Sequence, residues 1–123
     1  AYKDEIILVP LNMRDGVAVC RGLGNEDWNY SCSHGCGRKM SRSKAKETLS
    51  MENFEADMQN VFSTCISKNT IDESPAAYKD SNKILDLISE TCEVLYVVKP
   101  VISIKDTSEA PSWKKNKNSI IQF

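Results

Sequence analysis

Two short apolar segments near the start of the chain constrain its fold more than any other feature. The first, "EIILV", covers residues 5–9, and the second, "GVAVCRG", covers residues 16–22. Short apolar runs bounded by turn-forming residues are typical of buried β-strands. Pro10 follows the first run and cannot donate a hydrogen bond to a β-ladder. The pattern therefore predicts two paired strands joined by a tight loop, "PLNMRD".

The sequence after residue 40 changes to a helical pattern. Ser41 or Ser43 is a candidate N-cap for a short helix over "SKAKETL". A second helix is predicted to begin at Ser50, with the acidic Glu52 in its first turn. Five apolar residues then recur at a helical spacing and are expected to form one buried face: Phe54, Met58, Val61, Phe62 and Cys65.

The last third of the chain contains one more helix and the closing strands. After the turn-rich "NTIDESPAAYKDS", the segment "SNKILDLISETC" predicts an amphipathic helix with Ile84, Leu85 and Ile88 facing the core. "EVLYVVKPVISIKD" predicts one or two strands, broken at Pro100. The expected fold class is therefore α+β, with short, mainly antiparallel strands near both ends and about three helices between them.

Composition limits the classes of partner. A chain of 123 residues with 41% hydrophobic residues fits one domain with a modest core, and a formal net charge of −1 predicts no overall attraction to nucleic acid or membrane. Five basic residues nevertheless fall within nine positions: Arg38, Lys39, Arg42, Lys44 and Lys46. This patch indicates either a phosphate-rich ligand or a solvated helix face.

The cysteines indicate the compartment. Five cysteines at irregular spacing, with neither an apolar leader nor an apolar run long enough to span a membrane, favour a cytoplasmic protein with reduced thiols. The chain begins with "AYKDE", which is not a translation start, so we expect it to be a piece of something longer.

The stretch "SCSHGCGRKMSRSKA", residues 31–45, places His34, the chain's single histidine, between Cys32 and Cys36. In an extended segment all three side chains would point to one side and could share a zinc ion, but a second pair of ligands at the usual spacing is missing. Alternatively, His34 is a buried histidine with cysteines nearby by chance. In a third interpretation, its imidazole nitrogen attacks an activated phosphorus.

The nucleophile interpretation has chemical requirements. The transition state needs cations and a divalent metal near the phosphorus, and glycine amides along the phosphate path. "HGCGRKMSR" supplies His34, two glycines, Arg38 and, four residues later on what would be the same helical face, Arg42. The metal ligands are missing from this list.

Four segments together resemble a known family. "SHGCGRKMSRSKAK" is similar to the HGAGR-x-x-SR-x-x-A signature of the RtcB-type RNA-splicing ligases, and "DESPAAYKD" is similar to their D-E-x-P-x-A-Y-K-D segment. "LVPLNMRDG" resembles the strand and proline-led loop before the signature, and "KPVISIKD" resembles the closing strand. The resemblance implies that residues 1–106 are the C-terminal segment of a larger RtcB-like architecture, followed by a polar, lysine-rich tail over residues 107–123.

The resemblance also implies an activity and a set of site residues. Family members join an RNA 2′,3′-cyclic phosphate or 3′-phosphate end to a 5′-hydroxyl end with GTP and manganese, and His34 would accept GMP covalently. Tyr78 would pack against guanine, and Lys105 would contact its edge. Arg38 and Arg42 would hold phosphates of the nucleotide or of the RNA ends. The other nucleotide contacts implied are Pro10, Leu11, Asn12, Met13, Gly35, Cys36 and Gly37.

The chain also departs from the family pattern. Cys36 replaces the usual alanine between the glycines, "LNMRD" differs from the loop of many members, and Lys105 is followed by Asp106 where a glycine is usual. The family's manganese ligands lie N-terminal to the matched segment, so manganese would be bound outside this chain. The expected partners are RNA ends, GTP and the missing N-terminal portion, with an oligomer as another way to cover an exposed apolar face.

Three hypotheses follow. In the first, the chain is a segment of an RNA ligase and is inactive alone. In the second, it is a non-enzymatic module that binds nucleotide or RNA phosphate. The third is a zinc-stabilised interaction domain that uses Cys32, His34 and Cys36.

Overall fold

The fold is built on a three-stranded antiparallel sheet. A computed structural model describes residues 1–107, in which the strands are β1 (Ile6–Pro10), β2 (Val17–Gly22) and β3 (Cys92–Val98). Strand β2 lies in the centre and pairs with both neighbours, although β3 comes from the far end of the described chain. The predicted hairpin of the first two strands is confirmed.

Three helices of two turns each connect the sheet elements: α1 (Arg42–Thr48), α2 (Met51–Asp57) and α3 (Ser81–Leu87). Each begins with a side-chain cap, in which Ser41, Ser50 or Asp80 accepts a hydrogen bond from the backbone N–H three residues later. The α+β class is therefore confirmed, and Ser41 rather than Ser43 is the cap of the first helix. No helix in residues 1–107 has the length and apolar character needed to cross a membrane.

The loop between β1 and β2 is tightly held. The side-chain oxygen of Asn12 accepts hydrogen bonds from the backbone N–H groups of Arg14 and Asp15, and the N–H of Leu11 donates to the carbonyl of Gly16. Gly16 has a φ of +87°, and a Cβ at this position would lie 1.9 Å from the carbonyl oxygen of Val98. The loop geometry therefore requires glycine here.

The apolar core has two parts. Helix α3 covers one face of the sheet, where Val9, Ala18, Cys20, Ile88 and Cys92 are buried and Ile84 and Leu85 pack against them. The second part joins the β1–β2 loop to α2 and the segment after it, and consists of Met13, Phe54, Met58, Val61, Cys65 and Ile71.

The helix lengths differ from those predicted. Helix α2 ends at Asp57, so the apolar residues from Phe54 to Cys65 do not share one helical face. The backbone of Phe62 instead pairs with the segment after Pro100, donating to the carbonyl of Val101 and accepting from the N–H of Ser103. This pairing is incompatible with a helix, and it leaves the Phe62 side chain 66% exposed instead of in the core.

Two further corrections concern the ends of α1 and α3. Arg38 lies before α1 in an isolated bridge with Tyr78, so Arg38 and Arg42 are not on the same helical face. Helix α3 ends at Leu87 and not at Cys92, because Cys92 already pairs with Gly22 in the sheet. The predicted tail, residues 107–123, lies outside the described residues except for its first position.

The face of the sheet opposite α3 is apolar and uncovered. Ile6, Leu8, Tyr96 and Val98 project from it, and each is more than half exposed. Large single apolar side chains on a surface are ordinary, but neighbouring ones on a sheet face are typical of an interaction surface.

The two phenylalanines of α2 and of the segment after it provide a test of the core. Truncating the fully buried Phe54 in a Phe54→Ala variant should lower the free energy of unfolding by about 3–5 kcal/mol, because it leaves a cavity. The matched Phe62→Ala variant, at an exposed position, should change it by no more than about 0.5 kcal/mol. Urea unfolding followed by circular dichroism measures both, and equal losses would contradict this core assignment.

Candidate nucleotide and phosphate site

The predicted nucleotide-binding residues line one cavity. It has a volume of about 630 Å³, within the range of small-molecule sites, and is bounded by the β1–β2 loop, residues 33–37 and residues 100–105. The predicted nucleophile and all nine of the other predicted nucleotide contacts except the two arginines contribute to its wall: His34, Pro10, Leu11, Asn12, Met13, Gly35, Cys36, Gly37, Tyr78 and Lys105. Arg38 and Arg42 lie outside this wall.

His34 lies in a bent loop at the end of β1. The loop is fixed on both sides of the histidine, since Ser33 Oγ donates to the carbonyl of Gly35 at 2.7 Å and the N–H of Cys36 donates to the carbonyl of Pro10 at 2.9 Å. His34 itself is exposed, and its imidazole makes no hydrogen bond with any other residue in the range 1–107. Both ring nitrogens are thus available to a ligand in the cavity.

Gly35 brings the loop close to β1. A Cβ at Gly35 would lie 3.0 Å from the carbonyl oxygen of Pro10, which is closer than side chains normally approach. Gly37 has a φ of +75°, a conformation that residues with a side chain rarely adopt. The two glycines therefore allow a backbone path past His34 that other residues would strain.

The cysteines on either side of His34 do not converge. Cys36 is buried and its thiol donates to the carbonyl of Lys79 at 3.0 Å, whereas the thiol of Cys32 contacts that of Cys92, with a sulfur–sulfur distance of 3.5 Å. The expectation that Cys32, His34 and Cys36 point to one side is therefore wrong, because the segment is bent and not extended. All five cysteines are free thiols, and residues 1–107 contain no cluster of three or more potential metal ligands.

The carboxylate of Glu73 connects the cavity with the arginines. It accepts a hydrogen bond from the Tyr78 hydroxyl at 2.9 Å, and the ammonium of Lys105 lies 3.4 Å away. It also forms an ion pair with Arg42, whose guanidinium contacts the buried carboxylate of Asp72 at 2.7 Å as well. Glu73 therefore holds together two predicted nucleotide contacts and one predicted phosphate ligand.

Arg38 packs against the same group of residues. Its guanidinium lies over the ring of Tyr78, 5.1 Å from the ring centre, and donates to the carbonyl oxygens of Met40 and Asp72. Its Nη1 atom is buried without a hydrogen-bond partner, and the 3.9 Å to Glu73 allows charge attraction but is too long for a hydrogen bond. A ligand or water oxygen would satisfy this atom.

The surroundings shift the pKa values of two of these groups. Burial alone would raise the pKa of Glu73, but hydrogen bonds from Arg42 and Tyr78 and the charge of Lys105 outweigh it, so the pKa lies below its ordinary value. Burial raises the pKa of Tyr78, and the hydrogen bond to the Glu73 carboxylate raises it further. Glu73 is therefore ionised and Tyr78 is neutral at pH 7.

Asp72 and Glu73 are the site residues that sequence reasoning missed. Both belong to "DESPAAYKD", where they had no assigned role. The two acids lie in one segment that resembles the family, and Arg38 and Arg42 lie in another. Acids and arginines in two such segments could have indicated an ion-pair network. Their partners, Arg42 and Lys105, each lie 30 or more residues away from the two acids in sequence, so the spacing alone did not reveal the network.

The comparisons with known proteins identify a family for the chain. Residues 1–106 match the family model described as tRNA-splicing ligase RtcB. The chain is similar to the RNA-splicing ligase RtcB of Escherichia coli (strain K12), with 39% identity over 99 residues, which is 80% of this chain and 24% of that protein. It is also similar to the tRNA-splicing ligase RtcB of Aeropyrum pernix, with 32% identity over 83 residues, or 63% of this chain and 17% of that protein.

The relatives that the chain matches are named as RNA-splicing or tRNA-splicing ligases. The chain belongs to the RtcB family of tRNA-splicing ligases. It spans about a quarter of the length of the Escherichia coli relative.

The Glu73 network, which consists of the contacts of Glu73 with Arg42, Tyr78 and Lys105, makes the free energy of unfolding depend on pH. Because the pKa of Glu73 is lower in the folded than in the unfolded state, its contribution to the free energy of unfolding is fully present above the ordinary pKa of about 4 and is lost as the pH falls from there through the lower pKa of the folded state. A Glu73→Gln variant should therefore be less stable than wild type at pH 7, and this difference should shrink on acidification. Urea unfolding at a series of pH values measures it.

The control is Glu47→Gln, which removes an exposed carboxylate of α1 that forms no ion pair with any other residue in the range 1–107. Its effect on stability should be small at every pH. If Glu73→Gln behaved in the same way, Glu73 would not hold the network together.

Proposed function

We propose that this chain is the nucleotide-binding segment of a GTP- and manganese-dependent RNA ligase of the cytoplasm. The complete enzyme would join a 2′,3′-cyclic phosphate or 3′-phosphate end to a 5′-hydroxyl end through GMP attached to His34. The observation that carries this proposal is the cavity of about 630 Å³, whose wall contains His34, the two glycines beside it, Tyr78 and Lys105.

His34 is proposed as the nucleophile. A neutral imidazole nitrogen attacks the α-phosphorus of GTP, a P–N bond forms, the bond from that phosphorus to the bridging oxygen breaks, and pyrophosphate leaves with the electron pair. The ring then loses the proton of its other nitrogen to solvent or a base. The exposure of His34 and the absence of hydrogen bonds to the other described residues support this role, because neither ring nitrogen is blocked.

The other cavity residues are proposed to position the nucleotide. Tyr78 presents a ring face already fixed by Arg38 and Glu73, which suits stacking against a guanine base. Lys105 lies beside the same carboxylate and is placed at the base edge. The close approach of Gly35 to β1 leaves room for phosphates along the backbone of residues 35–37.

Arg38 and Arg42 are proposed to hold phosphates, but both are already engaged. The Arg42 side chain is 61% exposed and can exchange a carboxylate contact for a phosphate oxygen without leaving the surface. Arg38 offers the buried Nη1 atom that has no hydrogen-bond partner. A phosphate that binds both arginines would therefore compete with Asp72 and Glu73 for Arg42 and complete the hydrogen bonding of Arg38.

The described residues do not form a manganese site. Residues 1–107 contain no cluster of three or more histidine, cysteine or acidic side chains that could hold a metal. We therefore propose that the metal ligands belong to a part of the ligase outside this chain. When bound, the metal would neutralise the charge of the triphosphate and of the leaving pyrophosphate.

The exposed sheet face formed by Ile6, Leu8, Tyr96 and Val98 is proposed to pack against that same missing part. The relatives are much longer than this chain, and a sheet with one side covered by α3 and one side apolar and open fits the interior of a larger domain. An oligomer that covers the face is the alternative arrangement.

A second candidate is a non-enzymatic module that binds nucleotide or RNA phosphate. The absence of a metal cluster from the described residues favours it. The two functions differ in whether a covalent bond to His34 forms when the rest of a ligase is supplied.

The test grafts residues 1–106 onto the Escherichia coli ligase in place of its own matching C-terminal segment. With labelled GTP and manganese, the graft should form an acid-labile labelled protein, and its His34→Ala variant should not. The 123-residue chain alone should label roughly a thousandfold or more slowly, because it lacks the metal's electrostatic contribution to the transition state. Gel autoradiography with and without acid treatment measures the label.

The outcomes separate the proposals. A well-folded graft that binds GTP but never labels His34 would favour the non-enzymatic module. Labelling of the isolated chain at the rate of a complete ligase would show instead that the missing part is dispensable for the first chemical step.

A further inference from the structure

A second cavity adjoins the first. It has a volume of about 340 Å³ and lies between the β1–β2 loop, the N-terminus of α3 and the end of β3. Leu11, Asn12 and Tyr78 line both cavities, so the two share a wall that includes the proposed guanine-stacking residue. The two cavities are therefore neighbours on the protein.

Three lysines give the second cavity its chemical character. Lys39, Lys79 and Lys99 line it, and each is exposed. None of the three forms an ion pair with any other residue in the range 1–107. Their ammonium groups are therefore available to an anion.

The acidic residues of the same cavity are already engaged. Asp15 accepts hydrogen bonds from the Arg14 guanidinium and the Ser81 hydroxyl, and Asp57 pairs with the same arginine at 3.1 Å. Asp80 caps α3 by accepting the N–H of Lys83. The cavity wall therefore carries four cations, Arg14 and the three lysines, against three carboxylates, and this small excess of positive charge favours an anionic ligand.

The backbone fixes two of the lysines next to His34's loop. In the bridge between Arg38 and Tyr78, the N–H of Lys39 donates to the carbonyl of Ala77 and the N–H of Lys79 donates to the carbonyl of Gly37, both at 3.0 Å. The Lys79 ammonium reaches within 3.8 Å of the position that a Cβ on Gly37 would occupy. Lys79 thus stands at the border between the two cavities.

We propose that the second cavity binds the phosphodiester backbone of the RNA strand whose end reacts at the first. This inference rests on the proposed function, since it takes the RNA end to react with the GMP attached to His34 in the first cavity. Lysines bind phosphates as point charges without demanding a fixed geometry, and such contacts position a strand without reading its sequence. Lys79 holds the phosphate nearest the reacting end, and Lys39 and Lys99 hold those further along.

The test measures RNA affinity in the grafted ligase that carries residues 1–106. The probe is a fluorescently labelled single-stranded RNA with a 3′-phosphate, and its binding is followed by anisotropy at several salt concentrations. Lys39→Ala, Lys79→Ala and Lys99→Ala should each weaken binding, and the triple variant should reduce the slope of log affinity against log salt by about 2, at about 0.7 for each lost contact.

Two controls make the result specific. Lys83→Ala removes an exposed lysine of α3 that does not line the cavity, and it should leave the salt slope unchanged. A nucleoside 3′-phosphate, which has no further backbone, should bind the triple variant as well as wild type. Circular dichroism melting of every variant verifies that the fold is intact, and the single variants replace the triple if it unfolds.

The outcomes distinguish this inference from the proposed function. If wild type labels His34 with GMP but the triple variant binds RNA with an unchanged salt slope, the lysine cavity is not an RNA subsite. If the lysine variants lose GTP instead of RNA, the cavity belongs to the nucleotide and the inference is wrong. If no His34-dependent label forms in wild type, the proposed function fails, whereas the salt slopes still decide whether the lysines bind RNA.

Discussion

The ion pairs and hydrogen bonds of the Glu73 carboxylate hold the candidate site in place. Glu73 lies in a short 3-10 turn, Arg42 begins α1, Tyr78 follows the next turn, and Lys105 comes from the segment after the sheet. The Glu73 contacts therefore link side chains from four separate segments of the chain. A half-buried carboxylate surrounded by two cations and a hydroxyl is stable only while those partners stay, and this makes the network cooperative.

The same network controls how the site can respond to a ligand. A phosphate that binds Arg42 would replace a carboxylate that already contacts this arginine. Its binding free energy would therefore be less favourable than that of a phosphate that binds an unpaired arginine. The carboxylates also hold the Arg42 side chain in one position before a ligand binds. This reduces the conformational entropy that the side chain loses on binding. Glu73 therefore contributes preorganisation, although it repels the ligand's charge.

Sequence reasoning reached the parts of the fold that depend on local patterns. The hairpin follows from two apolar runs and the loop between them, and the capping serines follow from their positions before helical segments. It failed where a distant segment competes with a local preference. The apolar spacing from Phe54 onwards is helical, yet the pairing of Phe62 with residues 101–103 ends the helix.

The candidate site shows the same division. The residues that a motif predicts to bind nucleotide lie together in the wall of the first cavity. The carboxylates that pair with the arginines were not predicted. An ion pair between residues that are distant in sequence, such as Arg42 and Asp72, produces no periodic sequence pattern. The second cavity was not predicted for a related reason. Its three lysines come from different segments, and only the fold makes them neighbours.

The positions of the five basic residues between Arg38 and Lys46 show why closeness in sequence does not predict a single binding surface. Five basic residues within nine positions indicate one surface, but in the structure they lie at different locations. Arg38 and Arg42 turn towards the acids behind the nucleotide cavity, Lys39 lines the adjoining cavity, and Lys44 and Lys46 remain on the exposed side of α1. The division arises because the chain changes from a strand-like bridge to a helix at Ser41, which rotates successive side chains away from a common face. The backbone conformation therefore divides a short run of basic residues among the arginine–acid contacts, the wall of the second cavity and the exposed side of α1.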